Sequence, residues 1–143
     1  MEAQGALNQL WEDSNFNQPE RNRAEQGGFL VPNGYNDGFT FQRLQPSQII
    51  DTTPCKLEFT ASSDLPRGTI YVHTHPYTNG EQQDYCETPI PVGYENEVGV
   101  DDRPALVQMN LNKGLIIDAD KIILYTAEGN STNGYATYNR CGY

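Results

Sequence analysis

Both histidines of the 143-residue chain lie in one tetrapeptide, His73-Thr74-His75-Pro76. The tetrapeptide follows an apolar run, Thr69-Ile70-Tyr71-Val72, that is typical of a β-strand. Because successive side chains on a strand point to opposite faces, His73 and His75 point the same way and both imidazoles can bind one ion. The pattern is typical of two ligands of a metal site at the end of a strand, and the alternative is a pair of hydrogen-bonded histidines that binds no metal.

The histidine pair needs further groups from elsewhere in the chain, because a catalytic zinc site has three protein ligands and a position left for water. The downstream candidates for a carboxylate ligand are Asp84, Asp101 and Asp102. A general base must face that water without occupying the metal, and Glu25 and Glu58 are the candidates for it. The residue types therefore supply candidates for each part of a catalytic metal site and leave these alternatives open.

Hydrophobic periodicity and turn residues predict one α+β domain, as the length of the chain also favours. An amphipathic helix is expected from Ala3 to about Asp13, and a second helix begins at Asp101-Asp102-Arg103-Pro104 and ends near residues 112–114. Strands are expected over residues 27–31, 38–42, 56–60, 69–73, 115–117 and 122–125, with the first two and the last two forming hairpins. Residues 76–99 have no sustained period and are interpreted as an insertion.

The polar segment after Glu128 contains three tyrosines, Tyr135, Tyr138 and Tyr143. These residues could pair as an edge strand, dock a partner, or belong to a flexible terminus. The three cysteines, Cys55, Cys86 and Cys141, are odd in number and far apart. Their spacing favours neither a disulfide framework nor a structural zinc knuckle, and one bridge stays open.

Charge and hydropathy restrict the partners of the chain. It has 9 Lys and Arg against 19 Asp and Glu, a formal net charge of −10. Because nucleic-acid affinity depends on basic groups, no nucleic-acid partner is expected. No stretch approaches the roughly 18 apolar residues of a transmembrane helix, and the N-terminus lacks a signal-peptide pattern. We therefore expect no membrane association, and a protein that is cytoplasmic or delivered as part of a larger polypeptide.

The order of these features resembles the JAMM (JAB/MPN-type) metallopeptidase pattern. The features are Glu25-Gln26-Gly27-Gly28-Phe29, a strand, a spacer, the run from Gly68 to Pro76, a later aspartate that opens a helix, and a closing hairpin. The chain is most similar to the bacterial branch at the C-terminal ends of RHS-repeat and other polymorphic-toxin proteins. The resemblance implies a JAMM/cytidine-deaminase-like mixed β-sheet flanked by helices. It implies a domain over residues 1–126, with an insertion at about 77–99, followed by a polar C-terminal tail over 127–143.

The resemblance also implies a role for each candidate site residue. By position, Glu25 is the base that activates the water, and His73, His75 and Asp102 hold Zn²⁺; Asp101 and Asp84 are alternative ligands. The implied function is hydrolysis of peptide or isopeptide bonds by a toxin or effector domain of a larger bacterial protein. Its partners would be a protein or peptide substrate and an immunity protein. The alternatives are a catalytically inactive protein-binding module of the same fold and a cell-wall peptide hydrolase.

The chain departs from the family pattern at two places. The family has a short interval between the second histidine and the aspartate, whereas Asp102 comes 27 residues after His75. The long acidic loop would serve as a substrate-selecting flap or an inhibitory cover. The family also has a serine three residues before the aspartate, where this chain has Gly99 before Asp102, or Val98 before Asp101. Loss of one oxyanion donor costs about 100–1,000-fold in turnover, so slower hydrolysis or a substitute donor is implied.

Overall fold

The computed structural model describes residues 2–19, 22–34, 38–52, 57–61, 64–76, 98, 101–130 and 134–140. Within these ranges the chain forms two helices and eight strands. In chain order they are α1 (Glu2–Asp13), β1 (Gly27–Pro32), β2 (Phe39–Arg43), β3 (Ile49–Thr52), β4 (Leu57–Phe59), β5 (Ile70–Thr74), α2 (Asp102–Gln108), β6 (Lys113–Ile117), β7 (Lys121–Thr126) and β8 (Ala136–Asn139). Neither helix in this part of the chain has the length and apolar character needed to cross a membrane.

Six strands form one mixed sheet in the order β2-β1-β5-β6-β7-β8. The central strands β5 and β6 run parallel, and the other neighbouring pairs are antiparallel. Parallel neighbours require a crossover connection, and α2 lies within that connection. Strands β3 and β4 form a separate antiparallel pair. The predicted α+β class with a mixed sheet is therefore confirmed.

Each face of the large sheet buries its own apolar cluster, because strand side chains alternate between faces. On one face, here called the α1 face, strand residues pack with two residues of α1, and the cluster consists of Leu10, Trp11, Leu30, Val72, Leu115 and Ile117. The opposite face, here called the α2 face, buries Phe29, Val31, Leu44, Tyr71, Val98, Leu106, Leu111, Ile116, Ile123 and Tyr125. Ile116 on β6 is the register partner of His73, so the histidine lies on the α2 face. The metal-binding candidates thus share a face with the larger cluster.

Both predicted helices and both predicted hairpins are present, but the predicted end of the second helix near residues 112–114 is wrong. α2 ends at Gln108, because Asn110 has a positive φ of 56° and the Leu111 N–H turns back to the Leu106 carbonyl at 2.9 Å. Lys113 and Gly114 instead begin β6. The first hairpin pairs β1 with β2 and the last pairs β6 with β7. The last hairpin turns at Asp118, whose Oδ1 accepts the backbone N–H groups of Asp120 (2.7 Å) and Lys121 (2.6 Å). This side chain takes over hydrogen bonds that the turn would otherwise leave unmade.

One strand of the structure, β3, was not predicted from the sequence, and another, β8, was only one of the alternatives for its segment. β3 is a four-residue strand with only two apolar residues, Ile49 and Ile50, so it has little periodicity to detect. β8 comes from the polar C-terminal segment and pairs with β7 as the edge of the large sheet. Of the alternatives named for the tyrosine-rich segment, pairing as an edge strand is the one that the structure shows for Tyr138. The predicted insertion lies outside the described residues except for Val98, which is buried in the α2-face cluster.

Gly114 on β6 provides a sharp test of the packing on the α2 face. It is the register partner of Tyr125, and a Cβ at position 114 would overlap the buried tyrosine ring and its hydroxyl oxygen. We expect Gly114→Ala to lower the free energy of unfolding by about 1–3 kcal/mol, the usual cost of overpacking. Gly5→Ala is the matched control: nothing lies within 4 Å of its added Cβ in α1, so it should stabilise by about 0.5–1 kcal/mol. Urea unfolding measures both, and an unchanged midpoint for Gly114→Ala would contradict the packing described here.

Candidate metal centre

The end of β5 is held on both sides by hydrogen bonds. On one side, the Thr74 N–H donates to the Gln26 carbonyl, and the Gln26 N–H donates to Thr74 Oγ1, each at 2.9 Å. On the other side, the His75 N–H donates to the Ile117 carbonyl at 2.9 Å. These bonds hold the backbone at Thr74, the last residue of β5, and at His75, the residue that follows it. Alternation then places His73 and His75 on the same face, as the sequence predicts.

Two imidazole nitrogens and one carboxylate converge at this position. His73 Nε2 lies 3.0 Å from His75 Nε2 and 3.1 Å from Asp102 Oδ1, and His75 Nε2 lies 3.7 Å from Asp102 Oδ2. Ligands at 2.0–2.1 Å from a tetrahedral ion are separated by about 3.3 Å, close to these distances. The His73, His75 and Asp102 group could therefore hold a metal ion.

Asp102 reaches the histidines because it is the first residue of α2, in the crossover between β5 and β6. Arg103 Nε donates to the Thr126 carbonyl at 3.1 Å, which ties the start of this helix to β7. Asp101 is the exposed N-cap of α2 and is not part of the ligand group. Asp84 lies outside the described residues. Of the carboxylate candidates that the structure describes, Asp102 is the one brought to the histidines.

Glu25 lies beside the histidines, two residues before the neighbouring strand β1 begins. Gly27 is the register partner of His73 in the antiparallel β1–β5 pair, so two residues earlier Glu25 comes opposite His75. Glu25 Oε1 is 3.8 Å from His75 Nε2, and the residue is buried. Glu58 instead lies exposed on β4, opposite Asp51 of β3. The structure therefore brings Glu25 to the candidate metal centre and places Glu58 in the small sheet.

Arg23 links the segment before Glu25 to the residue after His75. Its Nη1 donates to the Pro76 carbonyl at 3.1 Å, and its Nε donates to the Gln18 carbonyl at 3.1 Å. The guanidinium also lies 4.9 Å from the centre of the Phe16 ring, within the range of a cation–π contact. This side chain holds together the two chain segments that carry Glu25 and the histidines.

A second polar link joins α1 and β2 to the residue after Glu25. Arg43 pairs with the Asp13 carboxylate and, through Nη2, donates to Gln26 Oε1 at 2.9 Å. Gln26 Nε2 donates in turn to the Asp13 carbonyl at 3.2 Å. The hydrogen bond from Arg43 lowers the pKa of the Asp13 carboxyl. Gln26 is thus held through both its backbone and its side chain, which limits movement of the adjacent Glu25.

Comparison of the chain with protein-family models, curated proteins and solved structures finds no match. The candidate site therefore rests on its own geometry and chemistry. Two neutral imidazoles and one carboxylate are the protein ligands of a well-known type of catalytic zinc site. Structural zinc sites instead have four protein ligands. Among the residues that the structure describes, His73, His75 and Asp102 form the ligand group, and this set of three donors fits the catalytic type, which leaves a position for water.

Two buried tyrosines, Tyr71 and Tyr125, lie beside His73, and neither was predicted from the sequence to belong to the site. The Tyr71 ring stacks on His73, with centroids 4.9 Å apart and planes 13° apart. The Tyr125 ring is perpendicular to the imidazole, at 88°, with centroids 6.4 Å apart. Tyr71 could have been found from its position two residues before His73 on the same strand. Tyr125 could not, because its approach depends on the pairing of β5 with β6 and of β6 with β7.

The two tyrosine hydroxyls remain protonated in this environment. Burial raises the pKa of Tyr71 well above its ordinary range, and Tyr125 and the carboxylates of Glu25 and Asp102 raise it further. Burial likewise raises the pKa of Tyr125, as does the negative charge of Asp102. Both phenols are therefore neutral hydrogen-bonding groups on the core side of the histidines.

Proposed function

We propose that this protein is a zinc-dependent hydrolase that cleaves peptide or isopeptide bonds. The observation that carries the proposal is the buried Glu25 carboxylate, 3.8 Å from His75 Nε2, beside three converging ligand groups. A site that only binds a metal does not need a buried carboxylate beside the ligand group and outside it. The four residues are also those that the JAMM resemblance names by position, which supports a JAMM/cytidine-deaminase-like fold and an amide substrate.

The ligand group would hold zinc through His73 Nε2, His75 Nε2 and one oxygen of Asp102. Zinc bound there would lower the pKa of a coordinated water toward 7 and polarise the substrate carbonyl. The surrounding residues contribute orientation: the backbone pairing of β5 with β1 and β6 directs both imidazoles, and α2 directs the carboxylate. Pre-positioned ligands of this kind need little rearrangement during the reaction.

Glu25 would act as the base and then as the acid of the reaction. Its carboxylate takes a proton from the attacking water and passes it to the leaving amine when the amide C–N bond breaks. Both transfers require a carboxylate that is close to the ligand group but does not belong to it. Its position opposite His75 in the β1–β5 register suits this role.

A catalytically inactive binding module is the second candidate function. The specific observation in its favour is Gly99, which has no hydroxyl at the position three residues before Asp102. Without that donor, an oxyanion would lose one hydrogen bond, typically worth about 100–1,000-fold in turnover. Such a module would keep the fold and the metal and would bind a protein without cleaving it.

The biological setting of the hydrolase follows from the resemblance to the polymorphic-toxin branch. On that basis, we place the activity in a toxin or effector domain that is delivered within a larger bacterial polypeptide. Its substrate would be a protein or peptide of the target cell. An immunity protein would bind the domain in the producing cell.

The experiment that tests the proposed function is removal and return of the metal. The chain is stripped with a chelator, divided, and reloaded with zinc in one half. Both halves are then incubated with folded proteins, ubiquitin-like conjugates and peptidoglycan fragments. We expect new amino groups to appear only with zinc and only from protein or peptide amides. Cleavage of peptidoglycan alone would indicate a cell-wall hydrolase, and bound zinc with no cleavage would favour the binding module.

A further inference from the structure

The two ring nitrogens of His73 have different surroundings. Nε2 faces His75 and Asp102 at 3.0 and 3.1 Å. Nδ1 is buried and has no hydrogen-bond partner among the described residues. A histidine that binds a metal through Nε2 carries its proton on Nδ1, and that N–H is almost always donated to a carboxylate, a carbonyl or a water. The proposed zinc ligand therefore needs a hydrogen-bond acceptor on its core side.

The Tyr125 hydroxyl is a second buried polar atom in the same cluster without a described partner. Its ring contacts the His73 ring directly, and the residue is fully buried. Tyr125 reaches this position because Gly114, its neighbour on β6, has no side chain. Buried polar atoms that lack a protein partner are usually bonded by an internal water, which makes about three hydrogen bonds.

Tyr125 is better placed than Tyr71 to serve His73. An imidazole N–H donates within the plane of its ring. The Tyr71 ring lies parallel to that plane, 13° from it, and stacks on the imidazole. The Tyr125 ring meets the imidazole edge to face, at 88°, and is not stacked on it. The Tyr125 hydroxyl is also a fully buried oxygen with no hydrogen-bond partner among the described residues.

We propose that Tyr125 is a positioning residue for the metal centre: the His73 Nδ1–H donates to one buried water, and that water donates to the Tyr125 hydroxyl oxygen. The inference rests on the zinc-binding part of the proposed function and does not depend on hydrolysis. The bond would hold the imidazole in the tautomer and orientation that present Nε2 to the metal. Tyr125 itself would touch neither the metal nor the substrate.

Tyr125→Phe tests this role because it removes one oxygen and keeps the ring. Zinc affinity of the full chain is measured by competition with a chromogenic chelator, and folding by thermal unfolding of the metal-free chain. We expect zinc affinity to fall by about 10–100-fold, the usual effect of losing an outer-shell partner. Tyr138→Phe, which removes the phenol oxygen of an exposed tyrosine on β8, should change affinity by less than about twofold, since its register partner Ile122 packs on the α1 face, opposite the histidines. Equal losses in the two variants would indicate a packing effect and overturn the assignment.

A spectroscopic measurement separates positioning from packing and does not require any variant to fold. In the zinc-loaded wild-type chain with ¹⁵N-labelled histidines, the His73 Nδ1–H should exchange slowly with solvent and show a cross-peak to Tyr125 ring protons. Rapid exchange with no such cross-peak, or wild-type zinc affinity in Tyr125→Phe, would overturn the inference alone. A wild-type chain that binds zinc and cleaves no amide would refute the hydrolase and leave this test intact. Failure of the wild-type chain to bind zinc would refute both.

Discussion

Glu25→Gln is expected to leave zinc bound and to lower amide hydrolysis by about 10²–10⁴-fold, the usual contribution of a general acid–base group. The substitution keeps the size and shape of the side chain but removes its ability to accept a proton. Glu25 is not a member of the ligand group, so the metal content should stay at the wild-type level. Elemental analysis and initial rates of amine release measure the two effects on the same preparation.

Glu58→Gln is the matched control for this prediction. Glu58 was the other candidate base, and it lies exposed in the small sheet. The same change of charge there should leave both zinc content and turnover unchanged. Full turnover in Glu25→Gln would remove Glu25 from the mechanism, and loss of zinc in that variant would reassign it as a ligand.

Replacing both histidines by alanine should reduce zinc from about one per chain to background, the second large effect that we expect. Each imidazole supplies one of three ligand atoms, and two lost nitrogens leave only the Asp102 carboxylate, too little for a stable zinc site. Elemental analysis after zinc loading and desalting gives the ratio. Circular dichroism checks that the variant keeps its helices and strands, because His73 and His75 are buried.

The adjacent aspartates offer a finer control on the same site. Asp102→Ala should weaken zinc binding by more than the roughly 10–100-fold expected for an outer-shell residue, because it removes a ligand. Asp101→Ala removes the same charge one residue away, from an exposed N-cap whose side chain makes no capping hydrogen bond. It should bind zinc like the wild-type chain. The reverse pattern would show that Asp101 is the third ligand.

The histidine pair and its strand could be predicted from the sequence because both depend on local patterns. An apolar run that ends in two histidines one residue apart needs only strand alternation to bring both imidazoles to one face. The helix at Asp101–Asp102 and the two hairpins were predictable for the same reason, since caps, turns and apolar periods lie within a few residues of each other. β3 was missed because its local pattern is weak: it is short, and only two of its four residues are apolar. β8 is mostly exposed and equally weak in pattern, so an edge strand was one of several alternatives for that segment.

The remaining parts of the site depend on contacts between segments that are far apart in the chain. Asp101 and Asp102 are equivalent in composition, but neighbouring residues of a helix point about 100° apart, so only the packing of the crossover decides which one faces the histidines. Glu25 and Glu58 are likewise both plausible bases until the β1–β5 register places Glu25 opposite His75. Without the JAMM resemblance, the residues alone left both choices open.

Thus the sequence by itself determined which groups could bind a metal or transfer a proton. These are two histidines on one face of a strand and several candidate aspartates and glutamates. The tertiary structure decided which carboxylates join them and surrounded His73 with Tyr71 and Tyr125. The reason is physical, because side-chain direction along one strand is a local property of the backbone. Strand register and helix crossover are instead set by burial of apolar residues on both faces of the sheet, and that balance involves the whole domain.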